Sequence, residues 1–184
     1  MKGMILMKPL IIETTCTNID RYGKGQITYN RKKLSIANLL PGEKAKIDVA
    51  NEKVVKILEP SKERIKPLCD KYDSCGGCQL MHMSSMAQKQ FKTQVLKETF
   101  APLKKMMTCG FNECEMAENP LYYRNKIQMP ITTNKARQTV IGFYKEGTID
   151  IIEKDDCFIQ AEIGRRVLKT VRQLIKQYRV QPFD

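Results

Sequence analysis

The chain has 184 residues, 42% of them hydrophobic, and its 32 Lys and Arg outweigh 20 Asp and Glu to leave a net charge of +12 at pH 7. That length holds one large domain or two small ones with a buried core, and no apolar run approaches the ~18–20 residues that cross a bilayer, so a membrane is not expected as a partner. The surplus of positive charge places polyanions, RNA or DNA, first among candidate partners.

The first 60 residues read as short strands. Alternation at 11–19 and 26–29, the Gly23-Lys24-Gly25 turn, an apolar segment at 34–37, the Leu40-Pro41-Gly42-Glu43 corner and a run at 45–58 predict a small OB-like antiparallel barrel over residues 1–60. Lys24, Arg31, Lys32 and Lys33 fall in its loops beside Tyr22 and Tyr29. Such a mixture of charge and stacking surface suits single-stranded nucleic acid. Glu59-Pro60-Ser61-Lys62-Glu63-Arg64 lacks periodicity and carries a proline, which puts a domain boundary there and a second domain over 61–184.

Beyond the boundary lies Cys69-Asp-Lys-Tyr-Asp-Ser-Cys75-Gly-Gly-Cys78-Gln-Leu-Met-His82. Cys-x5-Cys-x2-Cys brings several sulfurs to one side of a tight loop, and the paired glycines admit close backbone approach, so the loop is expected to wrap a metal. Ser84 then caps a helix running to about Phe100, with Ala87, Phe91 and Val95 forming an apolar stripe expected in the core and Pro102 ending it. Residues 103–119 are irregular and polar. Three strands follow at 122–132, 139–145 and 148–153, with a hairpin at Gly147. A last helix from Ala161 places Ile163, Val167, Val171, Leu174, Ile175 and Tyr178 on one face, expected to pack on the preceding sheet or on something absent.

A tetrahedral zinc and a cubane iron-sulfur cluster each need four ligands. His82, Cys109, Cys114 and Cys157 are candidates for the fourth, and spacing alone leaves the choice open; His82, the only histidine, would complete a Cys3His zinc site. The seven cysteines do not group as a secreted disulfide framework, and the N-terminus lacks the cleavage site of a signal peptide. A monomer in the cytoplasm is expected. No phosphate-cradling glycine loop, persuasive carboxylate pair or base beside a cysteine supports catalysis, so no catalytic residue is assigned.

Four separated motifs, in order, resemble the bacterial RNA 5-methyluridine methyltransferases that carry an iron-sulfur cluster, the 23S rRNA (uracil-5-)-methyltransferase group. Residues 22–43 resemble that family's TRAM domain, an OB-like RNA-binding barrel. Cys75-Gly-Gly-Cys78-Gln79-Leu80-Met81-His82 is similar to its cluster motif, with Cys69 upstream. Asn119-Pro120 with Tyr123-Arg124-Asn125-Lys126 resembles the opening of its central domain, and Gly142-Phe143-Tyr144 leading to Asp156-Cys157-Phe158-Ile159-Gln160 resembles the segment with the last ligand.

The resemblance implies that Cys69, Cys75, Cys78 and Cys157 hold a structural 4Fe-4S cluster, that His82 is a neighbour rather than a ligand, and that Arg124 and Lys126 touch RNA phosphates. It implies an α+β chain: the TRAM barrel, then the cluster loop and a small α/β central domain. Met81 stands where glutamine is common, and Gly147-Thr148 replaces a more polar turn. The family's Rossmann-like domain, which supplies S-adenosylmethionine and the catalytic cysteine, has no counterpart in these residues. The chain is therefore expected to be the RNA- and cluster-binding part of such an enzyme, a fragment or interrupted gene product, inactive alone, with rRNA as first partner and tRNA as second. The rival expectation is a stand-alone RNA-binding module with a structural zinc or iron-sulfur site.

Overall fold

In the computed structural model, which describes residues 8–134 and 136–183, the chain is a mixed α+β protein of small antiparallel sheets and two α-helices. It sorts into two compact units. One takes in the described residues up to Lys66 together with Gln79–Glu115; the other comprises Pro67–Cys78 and the chain from Met116 onward.

The first unit begins with β1 (Ile11–Thr15), β2 (Asn18–Ile19), β3 (Gly25–Tyr29), β4 (Lys32–Ile36), β5 (Lys44–Asp48) and β6 (Lys53–Glu59). These form two three-stranded antiparallel sheets, β1-β5-β6 and β2-β3-β4, with no ladder joining them among the described residues. The predicted barrel is therefore not closed. The reason lies at Cys16 and Thr17, where the expected strand over 11–19 breaks. The Cys16 N–H donates to the Glu43 carbonyl (2.9 Å), whereas the next N–H, of Thr17, donates to the Gln26 carbonyl (2.9 Å). The chain thus leaves one sheet and enters the other within a single residue step.

The expected run over 45–58 is likewise split. Asp48 Oδ1 accepts the Ala50 N–H at 3.1 Å, and Glu52 adopts a left-handed φ of 51°, which turns the chain back into an antiparallel pair. Alternation along β3 and β5 buries Ile27, Ala45 and Ile47, which pack with Cys16, Ile36 and Leu39 as the core between the sheets.

The corner at Leu40-Pro41-Gly42-Glu43 holds a carboxylate inside this core. Glu43 is fully buried; its oxygens accept the N–H groups of Leu40 (2.8 Å) and Ser61 (3.1 Å) and the Arg64 guanidinium through Nη2 (2.7 Å) and Nε. Burial alone would raise its pKa, but the Arg64 bond and the two backbone donors prevail and hold it below its ordinary value.

Helix α1 (Ser85–Phe100) starts as predicted: Ser84 Oγ accepts the Ala87 N–H at 3.1 Å, and a 3-10 turn at Ala101–Met106 with Pro102 in its first positions ends the helix. Its stripe of Ala87, Phe91 and Val95 is half-buried rather than core, lining a shallow cleft with Ile19, Leu40 and Met83.

In the second unit, β7 (Ile131–Thr133) pairs with β8 (Thr139–Ile141), and β9 (Phe143–Tyr144) pairs with β10 (Ile151–Ile152). These are shorter than the predicted strands. Residues 122–129 stay extended, with Arg124 bridged in parallel to Gln160. At Gly142 a Cβ would stand 2.1 Å from the Ile152 carbonyl oxygen, so only glycine lets β10 approach there. Gly147, at φ +69°, makes the β9–β10 hairpin turn as expected.

Helix α2 (Glu162–Gln177) packs against β8, but not by the face the sequence predicts. Leu168 is its buried residue, and Arg172 reaches over to donate to the Ile141 carbonyl at 2.7 Å. Ile163, Val167, Leu174 and Tyr178 are exposed.

Candidate metal centre and basic surfaces

The loop 69–78 is a sequence of tight turns seated on the β9–β10 hairpin. The Lys71 carbonyl accepts the N–H groups of Ser74 (3.1 Å) and Cys75 (2.8 Å), and the Cys69 carbonyl accepts that of Tyr72 (3.2 Å). The Gly76 N–H then donates to the Tyr144 carbonyl (3.2 Å) and the Glu146 N–H to the Ser74 carbonyl (3.0 Å). Tyr72 is buried beneath the loop.

Cys157 comes from a second, independently fixed segment. The Gln160 N–H closes a turn on its carbonyl (3.1 Å), and the following backbone is zipped to the stretch before Arg124: Tyr122 N–H to Phe158 O and Arg124 N–H to Ile159 O, both 2.8 Å, then Ala161 N–H to Arg124 O, 2.9 Å. Gln160 itself is buried, with its Oε1 lacking a hydrogen-bond partner among the described residues.

These segments bring Cys69, Cys75, Cys78 and Cys157 into one electrostatic neighbourhood within one unit. Burial raises the Cys75 thiol above its ordinary pKa, with Cys69 and Cys157 pushing the same way and the Gly77 N–H and Lys154 opposing. Burial pushes Cys78 up to about 11, helped by Cys157, Cys75 and Cys69 and opposed by Arg124. Such thiols keep their protons at neutral pH, so a metal that binds here must displace them.

Lys154 is a residue that motif reading passed over, although it opens the Lys-Asp-Asp turn before Cys157. Its ammonium pairs with Asp70 and stands 5.8 Å from the Phe158 ring centroid. Burial works against its charge, yet Asp70 and Cys69 hold its pKa above the ordinary value.

Four cysteines faced by Lys154 and Arg124 form a donor set that fits an anionic four-thiolate group. Among the described residues, no three His, Cys, Asp or Glu side chains stand close enough to hold a single metal ion. His82 is buried in the other unit, where its carbonyl accepts the Ile65 N–H at 3.0 Å. Cys109 and Cys114 also belong to that unit; Cys109 is exposed, and the Cys114 N–H donates to Thr93 Oγ1 at 2.9 Å.

The basic residues named from sequence divide by position. Arg31, Lys32 and Lys33 share the exposed tip of the β3–β4 hairpin, where Asn30 (φ 47°) and Arg31 (φ 62°) make a two-residue turn with both φ values positive. Lys24 lies at the opposite end of β3, roughly 20 Å away along the strand, where Asp20 Oδ1 accepts its N–H at 2.9 Å. There it lines a shallow cleft with Tyr22, Ser35, Leu80 and Phe91. Arg124 and Lys126 are exposed in the second unit, the Arg124 Nε donating to the Lys126 carbonyl at 3.3 Å. No helix among the described residues is long and apolar enough to cross a membrane.

No family model matches the chain. It is 33% identical to an uncharacterized RNA methyltransferase of Clostridium tetani, over 91% of this chain and 38% of that protein. It is 34% identical to an uncharacterized RNA methyltransferase of Listeria innocua, over 100% of this chain and 42% of that protein. A third protein of the same description, from Halalkalibacterium halodurans, is 30% identical over 95% of this chain and 39% of its own length. The chain therefore spans about two-fifths of the length of these curated relatives.

Proposed function

From this likeness to RNA methyltransferases, we propose that the chain is the RNA-gripping and cluster-holding part of an S-adenosylmethionine-dependent RNA (uracil-5-)-methyltransferase acting in the cytoplasm on 23S rRNA. The observation that carries the reading is the meeting of Cys69, Cys75, Cys78 and Cys157 in one unit, joined to the match of the whole chain with two-fifths of an RNA methyltransferase. Sulfurs sharing one tetrahedral zinc, with bonds of ~2.3 Å, must stand about 3.8 Å apart. The absence of such a group among the described residues favours a wider, polynuclear occupant over the Cys3His zinc site, as does the burial of His82 in the other unit.

A 4Fe-4S cluster bound here would act as a structural cross-link. Cys69, Cys75 and Cys78 would anchor the loop, and Cys157 would tie it to the segment that leads into α2. Lys154 and Arg124 would offset the negative charge of four thiolates. Arg31, Lys32 and Lys33 at one hairpin tip, and Lys24 with Tyr22 at the cleft, would hold RNA by phosphate attraction and stacking. Arg124 and Lys126 would add phosphate contacts. Methyl transfer itself belongs to the length that the relatives have and this chain does not match.

Anaerobic purification tests the reading. The expected protein is brown, with iron and acid-labile sulfide near four each per chain, on the order of a single cubane. Cys157→Ser should abolish that content while His82→Ala leaves it. One zinc per chain, lost in His82→Ala and kept in Cys157→Ser, would replace the cluster with the zinc module. The isolated chain should not methylate RNA when given S-adenosylmethionine.

A further inference from the structure

Helix α2 carries three strips of different chemistry. With successive residues about 100° apart, Leu168 marks the strip docked on β8, and Arg165, Lys169 and Lys176 run along a basic side. The third strip is Ile163, Val167, Val171, Leu174 and Tyr178. These five fall within an arc of roughly 100° that holds no charged residue.

This strip is uncovered. Ile163 is 62% exposed, Val167 54%, Leu174 44% and Tyr178 68%. In a chain with 28% charged residues, an uncharged apolar strip along four turns of helix has the composition of an interface core, where charge is depleted and aromatic and aliphatic side chains are enriched.

Two observations indicate what covers it. The relatives leave more than half of their own length unmatched by this chain, so a sizeable partner surface exists in those proteins. A second copy is a poor occupant, because each chain carries +12 and self-docking would bring the basic side of one α2 toward that of another.

We propose that the strip on α2 is the seat of the S-adenosylmethionine-binding domain lying in the relatives' unmatched length, whether that domain is on the same polypeptide or a separate one. The proposal rests on the methyltransferase reading given above. It also assigns α2 a positioning role. Helix α2 begins directly after Gln160, whose backbone is bridged to Arg124 and closes the turn on Cys157. A domain docked on α2 is thereby held in register with the cysteine loop and with Arg124.

The test joins this chain to the unmatched length of the Listeria innocua relative and compares the joined protein with the chain alone by side-chain footprinting. Labelling of Val167, Leu174 and Tyr178 should fall about fivefold on joining, in step with their passage from half-exposed to buried, while Arg166 and Lys169 change little. Val167→Asp with Leu174→Asp should restore labelling of Tyr178 and expose the joined protein to protease, whereas Arg166→Glu with Lys169→Glu should not. Unchanged footprints in a joined protein that binds S-adenosylmethionine overturn the proposal. A joined protein that binds none overturns the methyltransferase reading beneath it. Concentration-dependent self-association of the chain alone, abolished in the aspartate variant, gives the strip to a second copy and overturns it as well.

Discussion

Replacing Glu43 is the sharpest perturbation the fold offers. The carboxylate is fully buried and accepts from Arg64 twice and from the N–H groups of Leu40 and Ser61. Glu43→Ala removes every acceptor at once. It strips the Arg64 guanidinium of its counter-charge, leaving it the bond to the Asn38 carbonyl (2.7 Å), and orphans two backbone donors. Breaking a buried pair costs about 3–5 kcal/mol, and unmet backbone donors add about 1 kcal/mol or more each, so the expected destabilisation is about 4–6 kcal/mol. That is a large share of a typical domain's stability.

Glu43→Gln keeps the shape and one oxygen but removes the charge and turns an NH2 group toward other donors, for an expected destabilisation of about 2–3 kcal/mol. Urea unfolding followed by far-UV circular dichroism should show the midpoint falling by about 1 M for the glutamine variant. Amide exchange at Leu40 and Ser61 should accelerate with it. The pH dependence has a defined sign. Because the folded carboxyl is held below its ordinary value, its contribution is complete above the unfolded pKa of about 4.3. It is lost as pH falls through the lower folded value, so the gap between wild type and Glu43→Gln should be constant from about pH 6 to 8 and shrink below about pH 4. A glutamine variant within about 0.5 kcal/mol of wild type at pH 7 would refute the account of this corner.

Three further outcomes are expected. Gly142→Ala must push a Cβ against the Ile152 carbonyl oxygen at 2.1 Å, which should cost about 1–3 kcal/mol and disturb the β9–β10 hairpin, read by thermal unfolding and by exchange at the Gly76 amide. Ser84→Ala removes the oxygen that accepts the Ala87 N–H and should cost about 1 kcal/mol, measurable as a small drop in melting temperature without change in RNA binding. Charge reversal of Arg31, Lys32 and Lys33 at the hairpin tip should weaken RNA binding across sequences and lower the salt slope by about one unit for each phosphate no longer neutralised; an unchanged slope in filter binding would remove this tip from the RNA surface.

Much of the local structure was legible in the residues. The Ser84 cap, the Pro102 stop, the turn at Gly147 and the fall of the first 60 residues into short strands all follow from short-range chemistry, and all stand in the structure. What the residues did not disclose depends on distant partners. The strand over 11–19 breaks because the Cys16 and Thr17 amides find carbonyls in different sheets, a choice invisible in local alternation. Glu43 reads as an exposed turn residue, and only Arg64, 21 positions later, lets it be buried. On α2 the periodicity identified an apolar face correctly as a face, but docking uses Leu168 beside it. Periodicity reports which side chains travel together, not which neighbour they meet. At the cysteine loop, spacing named the three sulfurs, while the placement of Cys157 required tertiary pairing of residues 158–161 with 122–124.

The loop 67–78 belongs to a unit completed only by residues from Met116 onward, and biosynthesis must therefore bridge a delay. Cys78 and Cys157 lie 79 positions apart. At roughly 5–20 residues per second on the ribosome, the first three thiols wait about 4–16 s for the fourth. During that interval Cys69, Cys75 and Cys78 form a flexible trident open to oxidants and to any thiophilic ion in the cell. Loading with the intended cofactor is thus a race run during translation, and the yield of correctly filled protein should depend on the metal and oxygen present while the chain is being made, more than on those supplied after it has folded.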